Sequence, residues 1–142
     1  MGFSPIHGGC QCGGVRYTLS APPAEVMHCH CSMCRKAHGA LFASFGAYPA
    51  DALAIERGGD SLGDFESSPG SHRLFCPSCG CQLFNRVDKW AQNAFVVLGT
   101  LDAGESPGHD PARERHIFWD DRVHWYDVAD ALPKSAGYGD GT

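Results

Sequence analysis

No stretch of this sequence approaches the ~20 consecutive apolar residues that a helix needs to cross a bilayer, so no membrane association is expected. Basic charge is scarce as well: 11 Lys and Arg stand against 16 Asp and Glu, leaving a net charge of −5. No basic stripe runs along the chain, and nucleic-acid binding normally leaves such a footprint; no nucleic-acid partner is expected. The opening residues, MGFSPIHGGCQCGG, carry no basic segment leading into an apolar run, so no signal peptide is expected and the chain is read as cytoplasmic. Long amphipathic helices, internal repeats and inter-domain linkers are also missing, which leaves one domain over residues 1–142.

What is abundant is glycine, with 18 residues, joined by 9 prolines and 8 cysteines. A turn-rich, mainly β fold follows from the first two. A chain this long buries roughly 68–70% of its unfolded surface and needs no cross-links merely to fold. In a reducing compartment clustered thiols bind metal or do chemistry.

Val15, Tyr17 and Leu19 alternate with Arg16 and Thr18, the period of a half-buried strand. Further strands are expected over 25–31, over 41–48 with Pro49 ending it, and over 53–57, 61–67, 71–75 and 82–87. The apolar run Ala94 to Leu98 reads as a central strand, with Ile117–Phe118 and Val123–Tyr126 as late edge strands. A short helical turn fits 32–39. The polar, Gly- and Pro-containing stretch 102–115 reads as a loop and a candidate lid or binding loop. The tail 133–142 is expected to fray.

The cysteines fall into three groups: Cys10-Gln11-Cys12, Cys29-His30-Cys31-Ser32-Met33-Cys34, and Cys76-Pro77-Ser78-Cys79-Gly80 with Cys81 next. A C-x-x-C turn folds the chain back around one ion, Pro77 fixing its first half and Gly80 supplying backbone freedom after it. On a strand the two thiols of a C-x-C pair share a face. Cys10, Cys12, Cys76 and Cys79 together make four thiolates, a closed and therefore structural zinc site. Cys29, Cys31 and Cys34 supply three ligands and leave a position open, unless Cys81 or a histidine closes it. Cys81 otherwise reads as a small buried hydrophobe.

GGCQCGGVRY, CHCSMCRKAHGA and FCPSCGCQLF, with the late RHIFWDDRVHWYDVADALP, resemble the glutathione-dependent formaldehyde-activating enzyme family over roughly Gly8 to Pro133. The resemblance implies a small β-tent fold of stacked antiparallel sheets around a structural zinc, shared with methionine sulfoxide reductase B and some zinc-binding exchange-accessory proteins. It implies structural zinc on Cys10, Cys12, Cys76 and Cys79, and a second zinc on Cys29, Cys31 and Cys34, which are then the catalytic residues. Two Zn2+ per chain are expected, the second less fully held. The implied activity is that of a carbon–sulfur lyase: glutathione, or a similar thiol, condenses with formaldehyde or a related aldehyde to an S-hydroxymethyl adduct. Cys81 departs from the family pattern, where Thr, Ser or another small residue is expected.

Three thiolates around a doubly charged ion leave one net negative charge, which weakens Lewis acidity and favours metal exchange. His28, His30 and His38 are candidate proton carriers by proximity. Arg35, Lys36 and Arg16 are candidates for glutathione carboxylates, and Phe42, Phe45, Trp119 and Trp125 for the wall of a pocket. Two other classes stay open: a non-catalytic zinc-stabilised binding module, and a thiol or redox protein using Cys29–Cys34.

Overall fold

A computed structural model describes residues 2–139. Ten strands and one α-helix follow in order, with short 3-10 turns between some of them: β1 (Ile6–Gly9), β2 (Arg16–Leu19), β3 (Val26–Cys29), α1 (Ser32–His38), β4 (Ala43–Pro49), β5 (Leu53–Arg57), β6 (Gly63–Ser68), β7 (Ser71–Phe75), β8 (Gln82–Val87), β9 (Asn93–Val97) and β10 (Glu114–Ile117). They form a three-stranded sheet, β1-β2-β5, and a seven-stranded sheet, β10-β3-β4-β9-β8-β7-β6. The mainly β expectation holds, with two sheets and no barrel among the described residues. Every pairing is antiparallel except that of β10 with β3.

The alternation in β2 buries Tyr17 and Leu19 and leaves Arg16 and Thr18 half-buried. Those inward residues meet Ile6, Val15, Tyr48, Leu83, Phe84 and Val96 in one core. A second core gathers Met27, Phe45, Ala47, Val97 and Ile117 around Cys29 and Cys34. Strand β9 stands fourth of seven and feeds both cores through Val96 and Val97. That explains its continuous apolar run: both faces are covered.

Three expectations need correction, and one strand has no counterpart among them. β1 went unpredicted because I-H-G-G has no hydrophobic pattern; it is held by its ladder to β2. The stretch 102–115 is not irregular to its end, since Glu114 and Arg115 open β10, paired in parallel with Val26 and Met27. Nor does it cover the cavity described below. Asp102 is tied to Arg16 and the Pro107 carbonyl accepts from Tyr48 Oη at 2.7 Å, so only Arg115 reaches that cavity. Val123–Tyr126 forms no strand, and Trp125 and Tyr126 are exposed. The tail does not fray before Gly139: His116 N–H donates to Pro133 O, Ser135 N–H to His116 O, and Phe118 N–H to Gly137 O, at 2.9–3.0 Å. The rest of the expected fraying, at 140–142, lies outside the described residues. No helix among those residues is long and apolar enough to cross a membrane.

Candidate functional site

Cys10 and Cys12 lie in the turn between β1 and β2, and Cys76 and Cys79 in the turn between β7 and β8. The C-x-C pair converges through that turn, where Gly13 N–H donates to Cys10 O at 3.1 Å, rather than through strand alternation. Gly80 follows Cys79 with φ +78°, the left-handed conformation expected after this turn, and donates to Cys76 O at 2.7 Å. The four sulfurs lie within 4.8 Å of one another. Cys10 and Cys12 are 3.5 Å apart and Cys12 and Cys76 3.7 Å. These are not disulfides, which need ~2.05 Å, but they match the ~3.8 Å between sulfurs set tetrahedrally at 2.3 Å from one ion. Val15 N–H points at Cys10 Sγ at 3.2 Å and Gly14 N–H at Cys12 Sγ at 3.4 Å, stabilising sulfur in its anionic form. The donor set fits a thiophilic metal such as zinc.

Cys29 ends β3, Cys31 caps α1 and Cys34 lies in its first turn. Cys34 N–H donates to Cys31 Sγ at 3.3 Å, so the cap that starts the helix also fixes the thiol cluster. These sulfurs too lie within 4.8 Å of one another, and among the described residues neither Cys81 nor a histidine joins the group. Cys29 and Cys34 are buried and Cys31 half-buried. Hydrogen bonds from the Cys29 and then the Cys34 thiol pull Cys31 far below the usual thiol range, and the same bond to Cys31 pushes Cys29 up. Three sulfurs converging on one point fit a metal as well. Cys81 is half-buried against the first core, belongs to neither cluster, and is raised by burial.

The three thiols line a cavity of about 260 Å³. Strand alternation decides its wall: Met27, Cys29 and Cys31 face it, while His28 and His30 face the other side of the sheet. Of the aromatics expected to line it only Phe45 does, joined by Trp90, Phe95, Phe118 and Tyr138. Phe42 and Trp119 instead pack on His30 across the sheet, with ring centroids 4.9 and 5.0 Å away, and Trp125 is exposed. Arg16 is held by Asp102, Arg35 Nε donates to His30 O at 3.1 Å, and Lys36 is exposed; none of them lines the cavity. The cations that do are Arg73 and Arg115. Arg115 Nε donates to Glu25 Oε1 at 2.7 Å, whereas Arg73 Nη2 points at Cys34 Sγ at 3.5 Å. The sequence singled out neither. Arg73 reaches the cluster only because β7 brings it under α1, and its one linear signal is a lone arginine three places before Cys76.

None of the three candidate proton carriers lines the cavity. His28 bridges Ser44 and Glu114, each at 2.7 Å. His30 is buried, hydrogen-bonds His116 through Nε2 at 2.8 Å, and is held down at about 4 by burial and then by His116. His116 passes the chain on to Asp130 at 2.8 Å. His38 stands edge-on to Phe45 and is likewise lowered to about 4, by burial and then by Arg73.

Fold and site together define a thiol-rich, mainly β protein with two clusters able to hold metal, one of them lining a cavity. The chain belongs to the glutathione-dependent formaldehyde-activating enzyme family, whose pattern it matches over residues 5–121. A protein of Podospora anserina that carries the family's name is 36% identical over 80 residues, 56% of this chain and 38% of its own length. One of Halomonas elongata is 27% identical over 131 residues, 87% of this chain and 80% of its own. The chain spans about two-fifths of the length of the fungal relatives it matches, 38% in Podospora anserina and 43% in Penicillium rubens. The crystal structure of a Rhodobacter sphaeroides protein shares the fold, with a TM-score of 0.58 over 72% of this chain and 92% of its own, at 24% identity.

Proposed function

We propose that this chain is a zinc-dependent carbon–sulfur lyase-like enzyme of the β-tent type, one zinc-binding domain with its core over about residues 8–133. In this reading it joins glutathione or a similar small thiol to formaldehyde or a related aldehyde. The observation that carries the reading is the cavity at Cys29, Cys31 and Cys34. A cluster of three thiols that opens on an apolar cavity is built for a reactant; one closed by four thiols is built for stability. Zinc held by three thiolates offers an open position where a thiol is readily deprotonated or a carbonyl oxygen polarised. Cys10, Cys12, Cys76 and Cys79 would hold the structural ion, and Cys29, Cys31 and Cys34 the second.

The chain's own residues supply the rest. Met27, Phe45, Phe95 and Ile117 wall the cavity and exclude water from the reacting groups. At about 260 Å³ it is just below the usual size of a small-molecule pocket and takes the sulfur end of a thiol with a one-carbon aldehyde. In the addition the thiol sulfur bonds to the carbonyl carbon, the C=O π pair moves to oxygen, and the thiol proton ends on that oxygen. The reverse cleaves the carbon–sulfur bond. The cavity argues against a purely structural module.

The test is exchange NMR of glutathione with formaldehyde. Protein should speed S-hydroxymethylation, and Cys31→Ser should abolish the acceleration while fold and one zinc per chain persist. An unchanged rate in that variant would sink the assignment.

A further inference from the structure

Arg73 is the least expected residue in the cavity. It is 5% exposed, and among the described residues no carboxylate forms an ion pair with it. Buried cations are normally paired. Here Nη2 is spent on Cys34 Sγ at 3.5 Å, and Nη1 is buried with no partner at all. On the adjacent strand Asn85 stands in register with Arg73, so both side chains share a face and a cavity. The Asn85 amide oxygen is buried and unpartnered too. Two polar groups left unsatisfied side by side in one cavity are unfavourable unless a ligand completes them.

We propose that Arg73 is the oxygen-binding catalytic residue of this cavity. Its Nη1 donates to the oxygen of the carbonyl substrate, and to the charge that gathers there as sulfur attacks carbon, while Nη2 holds Cys34. The proposal rests on the thiol–aldehyde reading above. The position of Nη1 selects this oxygen over a carboxylate of the thiol. Both Nη atoms sit on one carbon, so the free donor lies beside the sulfur cluster, at the reacting end of the substrate. As the C=O π pair moves to oxygen, a fixed guanidinium donor meets the new negative charge without reorganisation. When the thiol proton has reached that oxygen, the Asn85 amide oxygen accepts from the resulting hydroxyl. Nothing is oxidised or reduced.

Formate is the probe for the binding step, a one-carbon ligand with anionic oxygen. Zinc-loaded wild-type protein, titrated with formate and followed by arginine side-chain 15N resonances, should saturate. Arg73→Gln should weaken formate at least about tenfold, the weight of a charge-assisted hydrogen bond, and Arg73→Lys less. Both variants should keep two zincs per chain and the wild-type circular dichroism. Turnover adds the second arm: Arg73→Gln should lower kcat for adduct formation about 10²-fold, as loss of an oxyanion donor does, with the KM for glutathione nearly unchanged. Equal formate binding in wild type and Arg73→Gln, or none in wild type, overturns the proposal. So does a raised KM for glutathione at constant kcat, which makes Arg73 a carboxylate anchor, and so does loss of the second zinc from both variants, which makes it a support of the cluster. A wild-type protein that binds formate through Arg73 but forms no adduct would refute the thiol–aldehyde reading and leave the oxygen subsite standing.

Discussion

His38 shows at the scale of one residue how burial and chemistry diverge. Its ring is edge-on to Phe45 with centroids 5.7 Å apart, and Nε2 is buried without a partner. Burial, and then the charge of Arg73, hold it at about 4, below the ~6.5 of an unfolded chain. Between those values the unfolded chain binds a proton that the folded one refuses. Stability is therefore full above about pH 6.5 and falls as pH drops toward 4. His38→Gln should flatten that slope in urea unfolding midpoints measured at constant zinc content; equal slopes would mean that the ring titrates freely in the fold. The cysteine clusters were legible in the sequence because ligand spacing is local and thiol chemistry is unambiguous. Arg73 and Asn85 were not, because what makes them unusual is a missing partner, and only the pairing of β7 with β8 and the reach of Arg73 to Cys34 reveal it.

The same contrast recurs for whole elements. β5, β7 and β8 keep the bounds read from their Gly, Pro and Ser neighbours, and α1 falls within 32–39. Only the end of β10 is legible in the sequence, as the edge strand expected at Ile117–Phe118, because the E-R-H before it is polar; pairing with β3, and the bonds of Glu114 and His116, extend the strand back to Glu114 and it stops at Ile117. α1 is only seven residues long and depends on its ends: Cys31 caps the start, and Gly39 closes it with φ 59° while donating to Arg35 O. A Cβ at Gly39 would meet nothing within 4 Å, so Gly39→Ala carries a backbone cost alone. That cost should be about 1 kcal/mol in chemical unfolding, with both metal sites retained. In β8, by contrast, Leu83 is fully buried in the first core. Leu83→Ala should cost about 2–5 kcal/mol through the cavity it leaves, measured the same way.

For the molecule as a whole, the four-thiol cluster joins the turn between β1 and β2 to the turn between β7 and β8, and so ties the small sheet to the large one. Structural zinc contributes roughly 10–16 kcal/mol in small domains, as much as the ~5–15 kcal/mol of net stability a domain possesses. On the proposed assignment Cys76→Ser should therefore not fold at all, whereas Cys31→Ser should melt near wild type with one zinc per chain by elemental analysis. A Cys76→Ser protein that folds cooperatively would refute the structural role. The linkage also imposes an order of events on synthesis. Cys12 must wait for Cys76, 64 residues later, a delay of roughly 3–13 s at a ribosome's ~5–20 residues per second. Cys29, Cys31 and Cys34 emerge together within that interval, enclosed by the unfinished loop. On the proposed assignment the three-thiol cluster is thus complete, and able to take the first available ion, before the four-thiol site that joins the two sheets can close.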